Sequence, residues 1–268
     1  GKHNLSPIYD GTQWNLAAIA ELSFVLDATN HLSGKNHDVF LDYNSGTPRL
    51  LLSAAWSSDT GRADALGRDA TYKRQVNNAS ITCRISNNGG TVVKAAGSLL
   101  YLGTVRMAAN GQTEDSLAKR FVWNMYNRVA RQLRVFDSTD TWTMQSSTFR
   151  QLLNTATNQT EFVRGLDEDL VTAFFNLYGA GASAGDTISA TIGLDSTTTQ
   201  SVNATRVLNQ LYANVTGCAV SFYCGLPGLG WHRLVPLEAA LSGTTQVTLV
   251  GDNGTSTVYT QLLGSALA

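Results

Sequence analysis

The sequence predicts an all-β fold, and three observations support this prediction. Charged residues make up 15% of the 268-residue chain, well below the usual quarter, whereas the hydrophobic fraction is an ordinary 43%. Apolar and polar residues alternate over many short segments, as they do in half-buried strands. Glycine, serine, threonine and asparagine cluster between those segments and favour tight turns. A chain of this length buries enough surface for one large or two modest cores, and we expect two.

Residues 1–112 are predicted to form an N-terminal β domain. After a loop-like opening, residues 38–56 have the pattern of a hairpin, with the turn at residues 45–48. A second turn is expected at residues 87–90, because asparagine and glycine tolerate the positive φ angles of hairpin turns. The other strands expected in this domain lie at residues 71–76, 80–85 and 99–107.

Residues 113–136 are predicted to contain a short connector helix, because the apolar spacing changes between residues 114 and 133. Four apolar residues recur there at intervals of four, and residues with that spacing line one face of an α-helix. Asp115 or Ser116 would cap the helix. Basic residues interleaved with aromatic ones in this stretch also suit a nucleic-acid contact, but we interpret them as a solvated helix face. The four apolar residues are Leu117, Phe121, Met125 and Val129.

Residues 137–268 are predicted to form a C-terminal β-sandwich of jelly-roll-like type. Many strands separated by turn signals, such as those at residues 179–185 and 252–254, favour this architecture. Residues 174–178 are more apolar than one small sandwich needs, so we expect part of that surface to face a sister subunit. The expected strands lie at residues 141–144, 159–163, 170–178, 187–194, 219–223, 232–241 and 246–250.

The charge and hydropathy of the chain argue against two classes of partner. The formal net charge is −1 and the two signs are mixed along the chain, so no basic field exists to attract nucleic acid. The longest apolar stretches, at residues 16–20 and 170–175, are far shorter than a membrane-spanning helix. We therefore expect a soluble protein without membrane insertion. The chain opens with Gly1 rather than Met, which fits a processed or an engineered start.

We predict no catalytic residue, although the sequence contains one nucleophile motif and three cysteines. The letters Gly-x-Ser-x-Gly of a nucleophile elbow occur around Ser183, but strand-like residues follow where an elbow requires a helix. We interpret this segment as a small-residue loop. Cys83, Cys218 and Cys224 are spaced unlike any zinc or redox motif. A bond between Cys218 and Cys224 stays open, but we expect buried free thiols.

We also predict no metal site and no cofactor. His31 and His37 share a loop with two aspartates, yet histidines scattered beside carboxylates are common on surfaces. The densest acidic cluster is at residues 167–169, with Glu161 upstream, and glycoside hydrolysis needs such paired carboxylates. Adjacent residues of a turn point in different directions, so a hydrated turn is our interpretation. Calcium would lack the glycine and glutamate that follow in a calcium loop.

Three residues are candidates for a contact with a subunit or a glycan. Tyr223, Trp231 and His232 flank the glycine-rich segment 225–230. Aromatic side chains on such a loop would stack on sugar rings. Packing in the core or in a subunit interface is the alternative, and it is the one we favour.

Six segments together resemble a group of tailed-phage and prophage structural proteins of the virion, fibre or decoration type. The likeness extends over most of the chain, from about residue 39 to residue 254, and no single segment has chemical meaning by itself. Ala130 stands where the group has proline, and Trp231 where a charged residue is usual, which affects local geometry. The segments are YLGTVR at 101–106, GQTEDS at 111–116, KRFVWNMYNR at 119–128, GLDED at 165–169, GLPGLGWH at 225–232 and GDNG at 251–254.

The resemblance implies a non-enzymatic virion protein, assembled in the bacterial cytoplasm, that attaches to the capsid or tail and contacts copies of itself and other virion proteins. The N-terminal part would hold the particle, and the C-terminal sandwich would project as a homotrimer. Two alternatives stay open. One is a receptor-binding fibre tip that grips host surface glycan through Tyr223 and Trp231. The other is a polysaccharide depolymerase that uses Glu161 with Asp167 or Asp169, which the absence of a fixed-period repeat disfavours.

Overall fold

The structure is a computed structural model that describes residues 5–69, 72–240, 246–252 and 260–268. Over these residues the chain is all-β, which confirms the predicted fold class. Helical structure in the described ranges is limited to one 3-10 turn, Leu152–Asn154. No helix in the described part of the chain is long and apolar enough to cross a membrane.

The described strands are numbered in chain order. Those of the first half are β1 (Leu5–Tyr9), β2 (Trp14–Ala18), β3 (Asn36–Asn44), β4 (Thr47–Ser53), β5 (Leu66–Arg68), β6 (Gln75–Asn77), β7 (Ile81–Ile85), β8 (Thr91–Lys94), β9 (Leu100–Ala109), β10 (Gln112–Thr113), β11 (Lys119–Arg120) and β12 (Val122–Asn124). Those of the second half are β13 (Ala130–Phe136), β14 (Thr141–Met144), β15 (Arg150–Gln151), β16 (Thr160–Arg164), β17 (Val171–Ala180), β18 (Thr187–Leu194), β19 (Val207–Gln210), β20 (Thr216–Gly225), β21 (Gly230–Ala240), β22 (Val247–Val250) and β23 (Gln261–Leu267).

One nine-stranded sheet forms the framework of the first half. Its order is β5-β6-β9-β3-β4-β7-β8, and β10 and β12 also pair with β9. The predicted first hairpin is β3 with β4, and Ser45 and Gly46 in its turn have φ angles of 49° and 92°. Asn87 and Asn88 adopt φ angles of 56° and 54° between β7 and β8. Both turns therefore use the left-handed conformation that such hairpins require.

The two faces of this sheet pack against different parts of the molecule. Alternate residues of a strand point to opposite faces, so Phe40 and Leu41 lie in separate clusters. The Phe40 cluster includes Trp123 and also Val163 of β16, and it therefore extends into the second half of the chain. The Leu41 cluster is covered by β1 and β2 through Ile8. The expected loop-like opening is thus wrong, because residues 5–18 form a hairpin.

Two six-stranded sheets pack face to face in the second half and give a sandwich-like arrangement. One has the order β13-β23-β17-β22-β14, with β20 beside β17. The other has the order β11-β16-β21-β18-β19, with β15 beside β21. Residues from both sheets fill one core, because alternate positions of each strand point inward. β17 illustrates the alternation, since its inward residues are the buried Val171, Ala173, Phe175 and Leu177.

The predicted connector helix is wrong, and residues 113–136 form short strands instead. A spacing of four residues fits a strand as well as a helix, because four is twice the strand period of two. Phe121 and Trp123 are both buried two residues apart, and Leu133 and Val135 repeat this pattern on β13. Val129 is exposed, so the four predicted residues do not share one buried face. Tertiary pairing with β9, β16 and β23 decides the outcome.

Most predicted strands of the second half coincide with observed ones to within three residues, whereas one strand of the first half is much shorter than expected. The strand predicted at 71–76 is β6, and its expected first residue, Thr71, lies outside the described residues. Leu241 at the end of the β21 segment and residues 253–254 of the turn after β22 lie outside them too. The division at residues 112 and 137 stays a prediction.

Candidate functional site

Tyr223 does not reach the surface, which corrects its assignment as a contact residue. It lies on the inward face of β20 in the core of the sandwich and has no exposed area. Burial raises the pKa of Tyr223 to about 12. The side chain therefore packs the core, which was the alternative that we favoured from the sequence.

Trp231 and His232 lie at the start of β21, where the two halves of the chain meet. The Trp231 indole donates a hydrogen bond of 3.0 Å to Glu161, and the Arg106 guanidinium lies 4.5 Å from the centroid of its ring. His232 is buried, with Nδ1 2.8 Å from an oxygen of Asp195. Both side chains are therefore engaged within the chain. Trp231 is only partly buried, so a limited area of its ring remains at the surface.

A second set of contacts at this junction is built around a buried ion pair. Arg62 donates to both oxygens of Asp38, at 2.7 and 3.2 Å, and Asp38 is fully buried. Burial raises the pKa of Asp38, while the charge of Arg62 opposes that rise. Arg62 also donates to Tyr101 and to the carbonyl of Gly165 in the second half. The arginine therefore links β3 and β9 to the loop that follows β16.

Gly165 is required at this junction by space rather than by backbone conformation. A Cβ atom there would lie under 3.0 Å from the Tyr101 hydroxyl and from ring carbons of Trp123. Both of those side chains are fully buried and have little room to move. Glycine therefore permits the close approach of the two halves.

The acidic cluster forms ion pairs with arginines. Asp167 lies 3.8 Å from the buried Arg164, and Glu168 lies 2.9 Å from Arg128. Asp169 accepts from Arg128 at 3.2 Å. These contacts place the carboxylates of residues 167–169 opposite cations beside the junction, which suits a structural role.

The remaining sequence candidates have local partners. Nδ1 of His31 lies 3.1 Å from Asp27, and Nδ1 of His37 lies 3.1 Å from the carbonyl oxygen of Ser53. The sequence suggested surface histidines, but both rings are buried. Within the described ranges no three His, Cys, Asp or Glu side chains are grouped so as to hold a metal. Ser183 lies in the loop between β17 and β18, so no strand-to-helix elbow is present there.

The three cysteines are free, and Cys218 and Cys224 form no disulfide with each other. Cys83 is buried as predicted, and burial raises the pKa of its thiol to about 12. Cys218 is partly buried and Cys224 is exposed, so the expectation that all three thiols are buried is wrong.

An apolar cluster lies on the outer face of the sheet containing β17. We call this outer face the Phe174 face. Phe174 pairs across the sheet with Phe222 on one side and Leu263 on the other, and the two phenylalanine rings lie 4.9 Å apart. In the next row Val220 of β20 faces outward as well, and Phe136 ends β13. The exposed fractions are 52% for Phe174, 44% for Phe136 and 43% for Val220.

The composition of the Phe174 face is typical of a protein interface. Arg134 is the single charged residue among the outward positions of β13, β23, β17 and β20. Its guanidinium lies 5.0 Å from the ring centroid of Phe136. Interface centres are depleted in charge and enriched in aromatic residues and arginine. The sequence hinted at this face through the apolar run at residues 174–178, but the partners on β20 and β23 depend on strand pairing.

No family model and no curated protein matches the chain. Dimeric latent PorU from Porphyromonas gingivalis is 8% identical over 90% of this chain and 25% of its own, with a TM-score of 0.31. The Cry4Aa toxin from Bacillus thuringiensis is 8% identical over 92% of this chain and 54% of its own, with a TM-score of 0.25. The structure of the infectious bursal disease virus Gx strain is 11% identical over 99% of this chain and 73% of its own, with a TM-score of 0.25. The chain thus spans a quarter of PorU and about half of Cry4Aa, and likenesses this weak support no functional argument.

Proposed function

We propose that this chain is a structural protein of a tailed-phage virion, a capsid- or tail-attached appendage of the decoration or fibre type. It acts by packing against copies of itself and other virion proteins, and it has no catalytic role. The six segments that resemble virion proteins favour this class. Several of them supply residues of the junction, among them Tyr101, Trp123, Gly165 and Trp231.

The Phe174 face is the observation on which the proposal depends. Outward faces of antiparallel sheets are usually polar, because water covers them. Here a phenylalanine pair lies at the centre of such a face, beside Leu263 and Val220. The whole face, with polar positions such as Asn176 and Gln261 included, spans on the order of 500 Å² in projection, for four strands about 4.8 Å apart and about eight residues long. That is more than half of the about 800 Å² that each partner of a standard interface buries.

In this proposal the two halves have separate tasks. Residues 1–112 attach the protein to the particle, and residues 137–268 form a jelly-roll-like sandwich that projects and brings the Phe174 face to a sister subunit. The Asp38–Arg62 pair and the close contact at Gly165 hold the halves in a fixed relation. A trimer is the assembly we propose, since three copies would enclose three such faces around one axis.

Light scattering of the purified chain tests the proposed assembly. We expect the wild-type mass to be three times the 28.7 kDa of one chain. Phe174→Lys should lower it to one chain, because the new charge would be buried in an apolar contact, in the same row of the sheet as Arg134. Val93→Lys is the matched control, since Val93 is an apolar strand residue that is 68% exposed in the first half.

Two outcomes would contradict the proposal. One is a wild-type protein that stays at the mass of one chain at micromolar concentration. The other is an oligomer whose mass responds equally to Phe174→Lys and Val93→Lys. Circular dichroism of both variants shows whether a change in mass reflects lost assembly or lost folding.

A further inference from the structure

The β1–β2 hairpin packs on the sheet through one face and carries larger apolar side chains on the other. Ile8 points to the sheet and joins the cluster of Leu41. On the opposite face Pro7 lies across from Leu16, and Tyr9 lies across from Trp14. Trp14 on this face is partly buried, whereas Leu16 is 70% exposed. The outward face therefore suits a ligand.

A stacked column of side chains stands on this outward face. The Arg74 guanidinium lies 3.9 Å from the ring centroid of Trp14 and 4.4 Å from that of Tyr72. Asp69 fixes the column, because its carboxylate accepts from the backbone N–H groups of Tyr72 and Arg74, both at 2.7 Å. It also accepts from Arg74 Nε at 3.1 Å. The column is thus formed before any ligand arrives, which lowers the entropic cost of binding.

A groove of about 360 Å³ runs beside the column, a volume within the range of small-molecule sites. Its lining is predominantly apolar, and two of its walls are open to solvent, with Leu16 70% and Tyr72 62% exposed. The residues that line the groove are Pro7, Trp14, Asn15, Leu16, Tyr72 and Arg74.

The hairpin between β5 and β6 adds an excess of positive charge to the groove. Within seven residues of the sequence, Arg68, Lys73 and Arg74 accompany a single acid, Asp69, in a chain whose net charge is −1. Arg68 pairs with the solvent-exposed Glu168 at 3.6 Å, and dissolved salt screens such an exposed ion pair. Arg74 pairs with Asp69 at 3.1 Å, whereas the neighbouring Lys73 is exposed. An anionic group is therefore the complement of this groove.

We propose that the groove beside Trp14, Arg74 and Tyr72 binds an acidic glycan. The C–H face of a pyranose ring is apolar and weakly positive, so it stacks on the electron-rich face of an exposed aromatic ring. A carboxylate on the sugar would meet the positive charge of Lys73 and Arg74. This site differs from Tyr223 and Trp231, and it lies within residues 1–112 rather than on the projecting sandwich.

Binding of defined oligosaccharides to the full chain tests this site. An array of acidic and neutral bacterial oligosaccharides, with tetragalacturonic acid included, identifies those retained, and calorimetry then measures affinity. We expect acidic members alone to be retained, and Tyr72→Ala to weaken their binding about tenfold or more. Tyr72→Phe keeps the ring and should bind within about twofold of wild type. Tyr212→Ala is the matched control, because Tyr212 is 67% exposed on another loop.

Salt separates the charge contribution from the stacking contribution. Lys73→Gln should weaken binding about threefold, and raising NaCl from about 50 to 500 mM should remove most of that difference. The proposal is overturned if no acidic oligosaccharide is retained, if neutral ones bind equally well, or if Tyr72→Ala binds like Tyr212→Ala. If Tyr72→Ala instead lowers the mass seen by light scattering, the groove holds a second copy and the glycan site is refuted. The Phe174→Lys result is independent of all these outcomes.

Discussion

Replacing Gly165 with alanine adds one methyl group at the contact between the two halves of the chain. The new Cβ would lie under 3.0 Å from the Tyr101 hydroxyl and from ring carbons of Trp123. Tyr101 is held in place by hydrogen bonds to Thr104 and Arg62. The loop must therefore move away, which also weakens the hydrogen bond from Arg62 to the carbonyl of residue 165.

The loss of stability has two sources, the steric overlap at the new Cβ and the weakened hydrogen bond from Arg62. Overpacking of a rigid core costs about 1–3 kcal/mol. A weakened hydrogen bond from a charged donor adds about 1 kcal/mol or more. We expect the free energy of unfolding to fall by about 3 kcal/mol in total. For a chain of this size that corresponds to a decrease of about 6–12 °C in the midpoint of thermal unfolding.

Thermal unfolding followed by near-ultraviolet circular dichroism measures this effect, because the signal reports on Trp123 and Tyr101. Gly61→Ala is the matched control. The atoms closest to its new Cβ are hydroxyls of Ser57 and Ser58, which lie on exposed, flexible side chains. The reasoning is refuted if Gly165→Ala unfolds within about 1 °C of Gly61→Ala, a difference of a few tenths of a kcal/mol.

Three further predictions concern buried polar groups. Arg62→Met should lower the free energy of unfolding, measured with urea, by about 3–5 kcal/mol, because it leaves the Asp38 carboxylate buried without a cation. Adding Asp38→Asn to the same chain should recover part of this loss. No recovery would contradict the pairing. Burial lowers the pKa of His37 from 6.5 to about 4, so between these two pH values the folded state binds fewer protons than the unfolded state. Stability should therefore fall as the pH falls from 6.5 to 4, by about 3 kcal/mol relative to His37→Gln, and parallel curves for the two proteins would argue against it. Cys224 should react with a thiol reagent in the folded protein while Cys83 stays protected until unfolding, and a fast phase that survives Cys224→Ser would disprove this assignment.

The fold class was predictable because alternation and turn residues are local properties of the sequence. The strand at 187–194 and the positive φ angles of Asn87 and Asn88 followed from a few neighbouring residues. The segment around Phe121 and Trp123 was not predictable in this way. Its spacing fits two periods, and the choice between them depends on pairing with β9, which is distant in sequence.

The candidate surfaces were harder to predict for the same reason. Phe174 and Phe222 are 48 residues apart in sequence and become neighbours only through the register of β17 and β20. Trp14 and Tyr72 come together through Arg74, and nothing near Trp14 indicates that contact. The segment around Tyr223 looked like a surface loop because glycines follow it, yet the inward phase of β20 buries the ring. Phase and register are properties of the sheet, so single segments do not contain them.

The central claim is that this chain is a structural component of a virion, and the composition of purified particles tests it most directly. Particles banded on a density gradient from a host that produces the chain would be analysed by quantitative mass spectrometry. We expect the chain to band with the particles in a fixed ratio to the major virion protein, in a copy number divisible by three. A chain that stays entirely in the soluble fraction while particles form normally would contradict the claim.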